Sequence, residues 1–298
     1  MLGINTNAAS LSAQRNLRAN GVSLQSTIDR LSSGLRVNGS KDDAAGLAIA
    51  DRMNAQIRAF NVSQRNASDG ISYLQVADGA LSKVTDNLQR MRELAVQAKN
   101  GVLTDNDRRN LDREYSELSK EVGRLVEGST YNTRPLFTSD NSGLTLQIGA
   151  GNTGYDSLTL YLTVDGQSGS DSLQEALGST NPATIQADVA AFFGDIQTVG
   201  AVGTGGASNA ISVLDTAIDS ITTIRATVGA NLSRLDQVIA SLDTGATNLS
   251  TARGRIMDAD YARETAALTR TQILQQAGTA MLTQANQLPN QVLSLLRQ

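Results

Sequence analysis

Cysteine, histidine and tryptophan are all missing from this chain, which has 298 residues. Without cysteine there is no disulfide and no thiolate metal site. The chain also stays unlinked wherever it goes. Without histidine, zincin-type metal sites, Ser-His-Asp catalysis and the usual neutral-pH base all drop out. Aromatics make up only 3% of the residues, and three prolines interrupt the whole length. Large globular cores lean on aromatic burial, so a core here has to be built from Leu, Ile, Val and Ala. No apolar run approaches membrane-spanning length; the longest, Ala44–Ala50, is far too short. Residues 1–7, Met-Leu-Gly-Ile-Asn-Thr-Asn, have neither a basic flank nor an apolar stretch, so no secretory leader is expected there. The 25 basic residues are scattered among 29 acidic ones, for a net charge of −4. They form no basic run interleaved with aromatics, which speaks against nucleic-acid binding.

What the chain has is helical spacing. Leu17, Gly21, Leu24, Ile28, Leu31 and Leu35 alternate steps of four and three near the start. Leu274, Ala277, Met281, Gln284 and Leu288 do the same near the end. Each pattern predicts a helix with one apolar seam that needs a helical partner. Neither has one beside it in sequence, so the ends must pair with each other, with other copies of the chain, or with both. Three inner segments carry the same seam. They are Leu74, Ala77, Leu81, Val84, Leu88, Met91 and Ala95; Leu111, Tyr115, Leu118, Val122 and Leu125; and a run from Leu214 to Leu242 whose one polar member is Arg225. A helix as long as the last spans roughly 45 Å at about 1.5 Å per residue.

The expected fold class is mainly α: a long antiparallel helical bundle or coiled-coil rod, with the terminal helices paired as a coiled coil. A small β-hairpin belongs to it. Leu144, Leu146 and Ile148 alternate with polar residues, as do Leu158, Leu160, Leu162 and Val164, around a turn at Gly149–Ser157. Ser179-Thr-Asn-Pro182 looks like a helix start, with Ile185, Val189, Phe192 and Ile196 forming a short amphipathic helix. Gly200–Asn209, rich in Gly, Ser and Thr, reads as a loop. The expected division is 1–43 with 255–298 as a terminal helical domain, 44–165 with 210–254 as a helical rod, and 166–209 as a small variable module.

Few residues invite chemistry. Gly149-Ala-Gly-Asn-Thr-Gly154 matches G-x-G-x-x-G, but a dinucleotide site needs a helix N-terminus directly after the glycines, and an alternating strand follows instead. Asp42–Asp43, Asp258–Asp260, Asp105 and Asp107 sit where helices begin, so capping accounts for them. No catalytic residue, cofactor or metal site is assigned.

Several longer blocks resemble one family. Leu31–Asn38 (Leu-Ser-Ser-Gly-Leu-Arg-Val-Asn), Lys41–Ile49, Asn66–Ser72 and Leu88–Gln97 lie in the first part. Ile256–Ala262, Gln272–Gly278, Gln284–Gln287 and Val292–Arg297 follow at the far end. In order and content they resemble bacterial flagellins of a short form, without large outer domains. Met257 departs from the pattern, standing where many relatives carry an acidic residue.

That resemblance implies a structural subunit that polymerises into the flagellar filament for motility. It implies unfolded export through the flagellar type III channel, with an export chaperone, and addition at the tip beneath a filament cap. It also implies contact with hook–filament junction proteins, and terminal segments that are disordered in the free monomer and become paired helices lining the filament channel. The assembly residues it points to are Leu17, Leu24, Ile28, Leu31, Leu35, Leu274, Met281, Leu288, Val292, Leu295 and Leu296. A second implication is recognition by the host flagellin-sensing Toll-like receptor through Gln89, Arg90, Leu94, Gln97 and Glu114. Of these, Arg90, Leu94 and Gln97 are expected to share one helix face, separate from the seam of Leu88, Met91 and Ala95. Val292–Leu296 similarly resembles the segment read by cytosolic inflammasome receptors of the NAIP type, although channel-layer packing explains those residues equally well. The alternative within structural proteins is a hook–filament junction protein, which shares the terminal helices. The resemblance carries no expectation of membrane insertion or nucleic-acid binding.

Overall fold

The computed structural model describes residues 7–137, 143–162 and 205–295. Five helices dominate them: α1 (Ala8–Ser33), α2 (Ser40–Ala98), α3 (Asp105–Gly128), α4 (Gly205–Met257) and α5 (Tyr261–Leu295). Between α3 and α4 lie two hairpins, β1 (Thr130–Tyr131) with β2 (Arg134–Pro135) and β3 (Leu144–Gln147) with β4 (Ser157–Leu160), both antiparallel. The chain divides into two compact units, Met1–Arg58 with Ala246–Gln298 and Ala59–Gly245. The amphipathic helix expected over Ile185–Ile196 and most of the module 166–209 lie outside the described residues.

The central unit, Ala59–Gly245, is where the inner seams close. Leu74, Ala77, Leu81, Val84, Leu88, Met91 and Ala95 are all without solvent exposure. Tyr115 and Val122 of α3 and Leu214, Ile221, Val228 and Leu235 of α4 join them in one core. Arg225, the polar member of the α4 seam, reaches the edge of that core and pairs with Asp78 at 2.9 Å. Arg92 pairs with Asp215 at 2.6 Å. As α2 numbers rise from 78 to 92, α4 partners fall from 225 to 215, so the two helices run antiparallel.

Helix starts follow the expected chemistry. Thr104 caps α3 in a capping box with Asp107, whose carboxylate accepts from the Thr104 amide and hydroxyl at 3.0 and 2.7 Å. Those bonds hold the Asp107 carboxyl below the usual carboxylate range. Asp43 has extended backbone and caps the main run of α2 by accepting from the Gly46 amide at 2.8 Å. Asp260 accepts from the amides of Ala262 and Arg263 at the start of α5.

The β3–β4 hairpin pairs Leu144 with Leu160 and Leu146 with Leu158, and it lies on α2. Ser63 donates to the Gly149 carbonyl and Asn66 to the Gln147 carbonyl. Gly70 leaves room for Leu146, since a Cβ there would collide with that side chain. In the connecting loop, the glycines at 149 and 151 close on the Asp156 carboxylate, and strand β4 follows them.

Two expectations change. Gly205–Asn209 is the first turn of α4, not loop, because Ala207 and Ala210 are buried in the central core and tertiary burial outweighs the glycine-rich composition. Leu35 is not helical. Gly34 ends α1 in the left-handed conformation, φ 70°, and Leu35 then bridges to Asp258.

Candidate assembly surface

The terminal unit holds α1 against α5. Asn7 donates to the Ala285 carbonyl at 2.8 Å and Ser10 bonds Asn286 at 2.8 Å, while Arg30 reaches Glu264 at 3.5 Å at the other end. Low numbers on α1 meet high numbers on α5, so the pair is antiparallel. The ends do pair with each other.

On α1 they do so largely on the expected face, and on α5 on a face rotated from the expected one. On α1 the covered residues are Ser10, Ala13, Leu17, Asn20, Leu24, Thr27 and Leu31, in steps of three and four. On α5 they are Glu264, Leu268, Thr271, Gly278, Leu282 and Ala285. Leu17, Leu24 and Leu31 therefore face the partner, but Ile28, Leu274 and Met281 do not. Ile28 is 43%, Leu274 44% and Met281 64% exposed. The physical reason is close approach. Gly278 sits under Leu17, where a Cβ would come within 2.8 Å of the Leu17 Cδ1. Small and polar residues let the two backbones come together, and a seam through Leu274 and Met281 would hold them apart. Larger side chains are left outside: Leu11, Val22 and Ile273 are also exposed. Leu274, Ala277 and Met281 line an open groove with Ala9, Ala13 and Asn16 of α1. The side chains of Leu288, Val292, Leu295 and Leu296 lie outside the described residues.

The far end of this unit is pinned by backbone. The Arg36 amide donates to the Met257 carbonyl at 2.6 Å and the Ala259 amide to the Gly34 carbonyl at 2.9 Å. The Arg36 guanidinium adds a bond to the Ile256 carbonyl at 2.6 Å. Val37, Ala50 and Met257 form a small core there, flanked by Leu35, Leu47 and Ile256. Two of the sequence blocks, Leu31–Asn38 and Ile256–Ala262, are thus one structural joint. Met257 is part of its apolar filling.

The family model described as the bacterial flagellin N-terminal helical region matches residues 4–142, and that of the flagellin C-terminal helical region matches 211–296. The chain belongs to the bacterial flagellin family. It is 40% identical over 294 residues to flagellin FlaB2 of Treponema pallidum, with 99% of each chain covered. It is 38% identical to a flagellin of Halalkalibacterium halodurans, again over 99% of both. It is also 38% identical to the flagellar filament 33 kDa core protein of Treponema phagedenis, over 99% of both chains. Its fold is shared, at 14% identity and a TM-score of 0.57, with a Vibrio parahaemolyticus protein named as flagellar hook-associated; that likeness covers 72% of this chain and 99% of the other. Flagellins are structural subunits of the flagellar filament, and this one matches its relatives from end to end. Among its described residues no helix is long and apolar enough to cross a membrane.

In this flagellin the residues expected to meet a receptor divide into two sets. Arg90 lies in the open and donates to Glu114 of α3 at 2.8 and 2.9 Å and to Glu93 at 2.9 Å. The hydrogen bond it donates to Glu114, then that to Glu93, raises the pKa of the Arg90 guanidinium above its ordinary value. Gln89 and Gln97 line a shallow groove with Arg92, Glu93 and Val96. Leu94 is different: it has no exposure and belongs to the central core with Leu88, Met91 and Ala95. The expected separate face does not hold for it. Helix α2 is covered by both α3 and α4 here, so its apolar stripe is wider than one seam.

Two features left no simple sequence signal. The β1–β2 turn places Asn132 at φ 48° and Thr133 at φ 66°, the backbone of a type I′ hairpin. Asn-Thr lacks the glycine that normally announces it. The Arg30–Glu264 pair joins residues far apart in sequence, and only the register of α1 on α5 brings them together.

Proposed function

We propose that this chain is exported unfolded, adds to the tip of a growing flagellar filament beneath a cap, and completes the burial of α1 and α5 only there. The observation that carries this reading is that the α1–α5 pair leaves large apolar side chains in solvent, Val22, Ile28, Ile273, Leu274 and Met281, with Leu274 and Met281 lining an open groove against α1. A helix pair that leaves several large apolar side chains exposed gains from further copies packed around it. Most helical stability in proteins comes from packing an amphipathic face rather than from helix propensity. The ends therefore order as neighbours arrive, which also suits passage through a narrow export channel. Leu288, Val292, Leu295 and Leu296 extend the same assembly surface in this reading.

Seeded elongation followed by negative-stain microscopy tests it. The parent chain is expected to give long uniform filaments, which a junction protein would not. Leu24→Asp and Leu274→Asp are expected to stop elongation while the central unit keeps its thermal transition. Elongation by both variants at the parent rate would overturn the reading.

The second role proposed is recognition by the host flagellin-sensing Toll-like receptor. Gln89, Arg90, Gln97 and Glu114 supply its surface, and Leu94 supports them from beneath. The exposed Arg90–Glu114 pair, bridging α2 and α3, favours it, since arginine is a preferred interface anchor. Arg90→Ala and Glu114→Ala are expected to lower cell activation; unchanged potency in both counts against it.

A further inference from the structure

Three Asn–Gly pairs occur in the chain: Asn20–Gly21, Asn38–Gly39 and Asn100–Gly101. We propose that the α2–α3 turn makes Asn100–Gly101 a site of spontaneous deamidation, while the fold protects the other two.

The reaction needs the backbone nitrogen of the glycine to attack the asparagine side-chain carbonyl carbon. An N–C bond forms, ammonia leaves, and a five-membered succinimide results. Water then opens the ring at either carbonyl, giving aspartate or isoaspartate. The only co-reactant is water. The attack demands a free glycine amide, a mobile local backbone and an accessible side chain.

At Asn20–Gly21 the amide is committed, because Gly21 lies inside α1 and donates along the helix. At Asn38–Gly39 the asparagine is clamped. Its side-chain nitrogen donates to the Asp29 carbonyl at 3.2 Å and its backbone amide to the Asp42 carboxylate at 3.1 Å. The preceding strand segment is pinned through Arg36 to Met257. Rotating the Asn38 side chain toward Gly39 breaks the first of these bonds.

At Asn100–Gly101 the glycine amide is uncommitted, and although the Asn100 amide donates to the Gln97 carbonyl at 3.0 Å, the side chain is tied only within its own turn. Both residues are exposed, and open space surrounds the Gly101 Cα. Among the described residues the Gly101 amide makes no hydrogen bond. The Asn100 Oδ1 accepts from the Val102 amide at 3.2 Å, an Asx turn that folds the side chain back over its own backbone. That same bond withdraws electrons from the carbonyl that must be attacked. The Leu103 amide closes the turn on the Asn100 carbonyl at 3.3 Å. The product places a negative charge just past the C-terminus of α2, where the helix dipole disfavours it. Isoaspartate also lengthens the turn backbone by one carbon. The Arg108 guanidinium, which donates to the Ala98 and Asn100 carbonyls, is the group that would re-pair.

The test is peptide mapping by mass spectrometry of the full-length chain aged at mildly alkaline pH, folded and in denaturant. In denaturant Asn38 and Asn100 are expected to convert at similar rates. In the assembled filament, where α1 is ordered, Asn38 is expected to slow several-fold, while in the folded monomer Asn100 keeps its denatured rate and yields separate aspartyl and isoaspartyl peptides. Gly101→Ala, for which the open space leaves room, is expected to suppress conversion at Asn100 with the melting curve unchanged. Slowing of Asn100 in the folded monomer by as much as Asn38 slows in the filament would overturn the proposal, as would an Asn38 rate in the filament equal to its rate in denaturant. Asn100 is read on the monomer, while the Asn38 clamp runs to Asp29 of α1 and closes in the filament, so failure of filament growth leaves the Asn100 arm intact and the assembly reading stands or falls separately.

Discussion

Thr133 shows how much a single residue can carry against its own preference. A β-branched side chain at φ 66° sits in a region that costs an L-residue roughly 1–2 kcal/mol. The neighbouring ring contact, Tyr131 edge-on to Tyr73 at 5.7 Å, and the buried Leu136 and Phe137 hold the hairpin shut regardless. Thr133→Gly is expected to stabilise the central unit by about 1 kcal/mol, read from urea melts, because glycine takes this backbone without strain. Asp260 gives a pH dependence at the same scale. Hydrogen bonds from the Arg263 backbone and side chain hold its carboxyl below the usual range. A depressed carboxylate stabilises the fold above its unfolded pKa, and that contribution is lost as pH falls through the lower folded value. Acidification below the ordinary Asp range is therefore expected to fray the start of α5, seen as faster proteolysis near Tyr261. Asp260→Asn, which keeps a capping oxygen, is expected to flatten that acid dependence. The capping roles of Asp43, Asp107 and Asp260 were legible in the sequence because caps are local. The Arg30–Glu264 pair was not, since nothing local sets its register.

The helices divide by how their apolar faces end up. The seams of α2 and α4 were legible residue by residue, from Leu74 to Ala95 and from Leu214 to Leu235, because large side chains in heptad spacing leave one solution within a single chain. The α5 seam misled, and the α1 seam in part. On α1 the expected Leu17, Leu24 and Leu31 do face the partner, but Ile28 does not; on α5 the covered line runs through Gly278, Leu282 and Ala285, one residue or about 100° from the expected Ala277, Met281 and Gln284, because close approach selects small residues there. The same distinction separates mutants. Leu81→Ala, at a site with no exposure, is expected to cost the central unit about 2–5 kcal/mol in denaturant melts. Leu274→Ala, at a site 44% exposed, is expected to leave monomer melting unchanged and to raise the critical concentration for polymerisation.

At the level of the whole molecule, a subunit with a closed central core carries a terminal pair that is apolar on its outside. The central unit buries its seams within one chain and needs no neighbour. The terminal unit keeps Val22, Ile28, Ile273, Leu274 and Met281 in solvent and relies on a backbone joint between Gly34–Arg36 and Met257–Ala259 to hold its helices together. The flagellin blocks in the sequence announced both regions, since that joint is made from two of them. In the proposed assembly, polymerisation is the step that removes these exposed side chains from water. Amide hydrogen exchange, measured residue by residue on the monomer and on the assembled filament, tests this most directly. Fast exchange over 1–35 and 265–298 in the monomer, strong protection of the same residues in the filament, and protection of the α2 and α4 seams in both is the expected result. Protection of α1 and α5 in the monomer equal to that in the filament would contradict it.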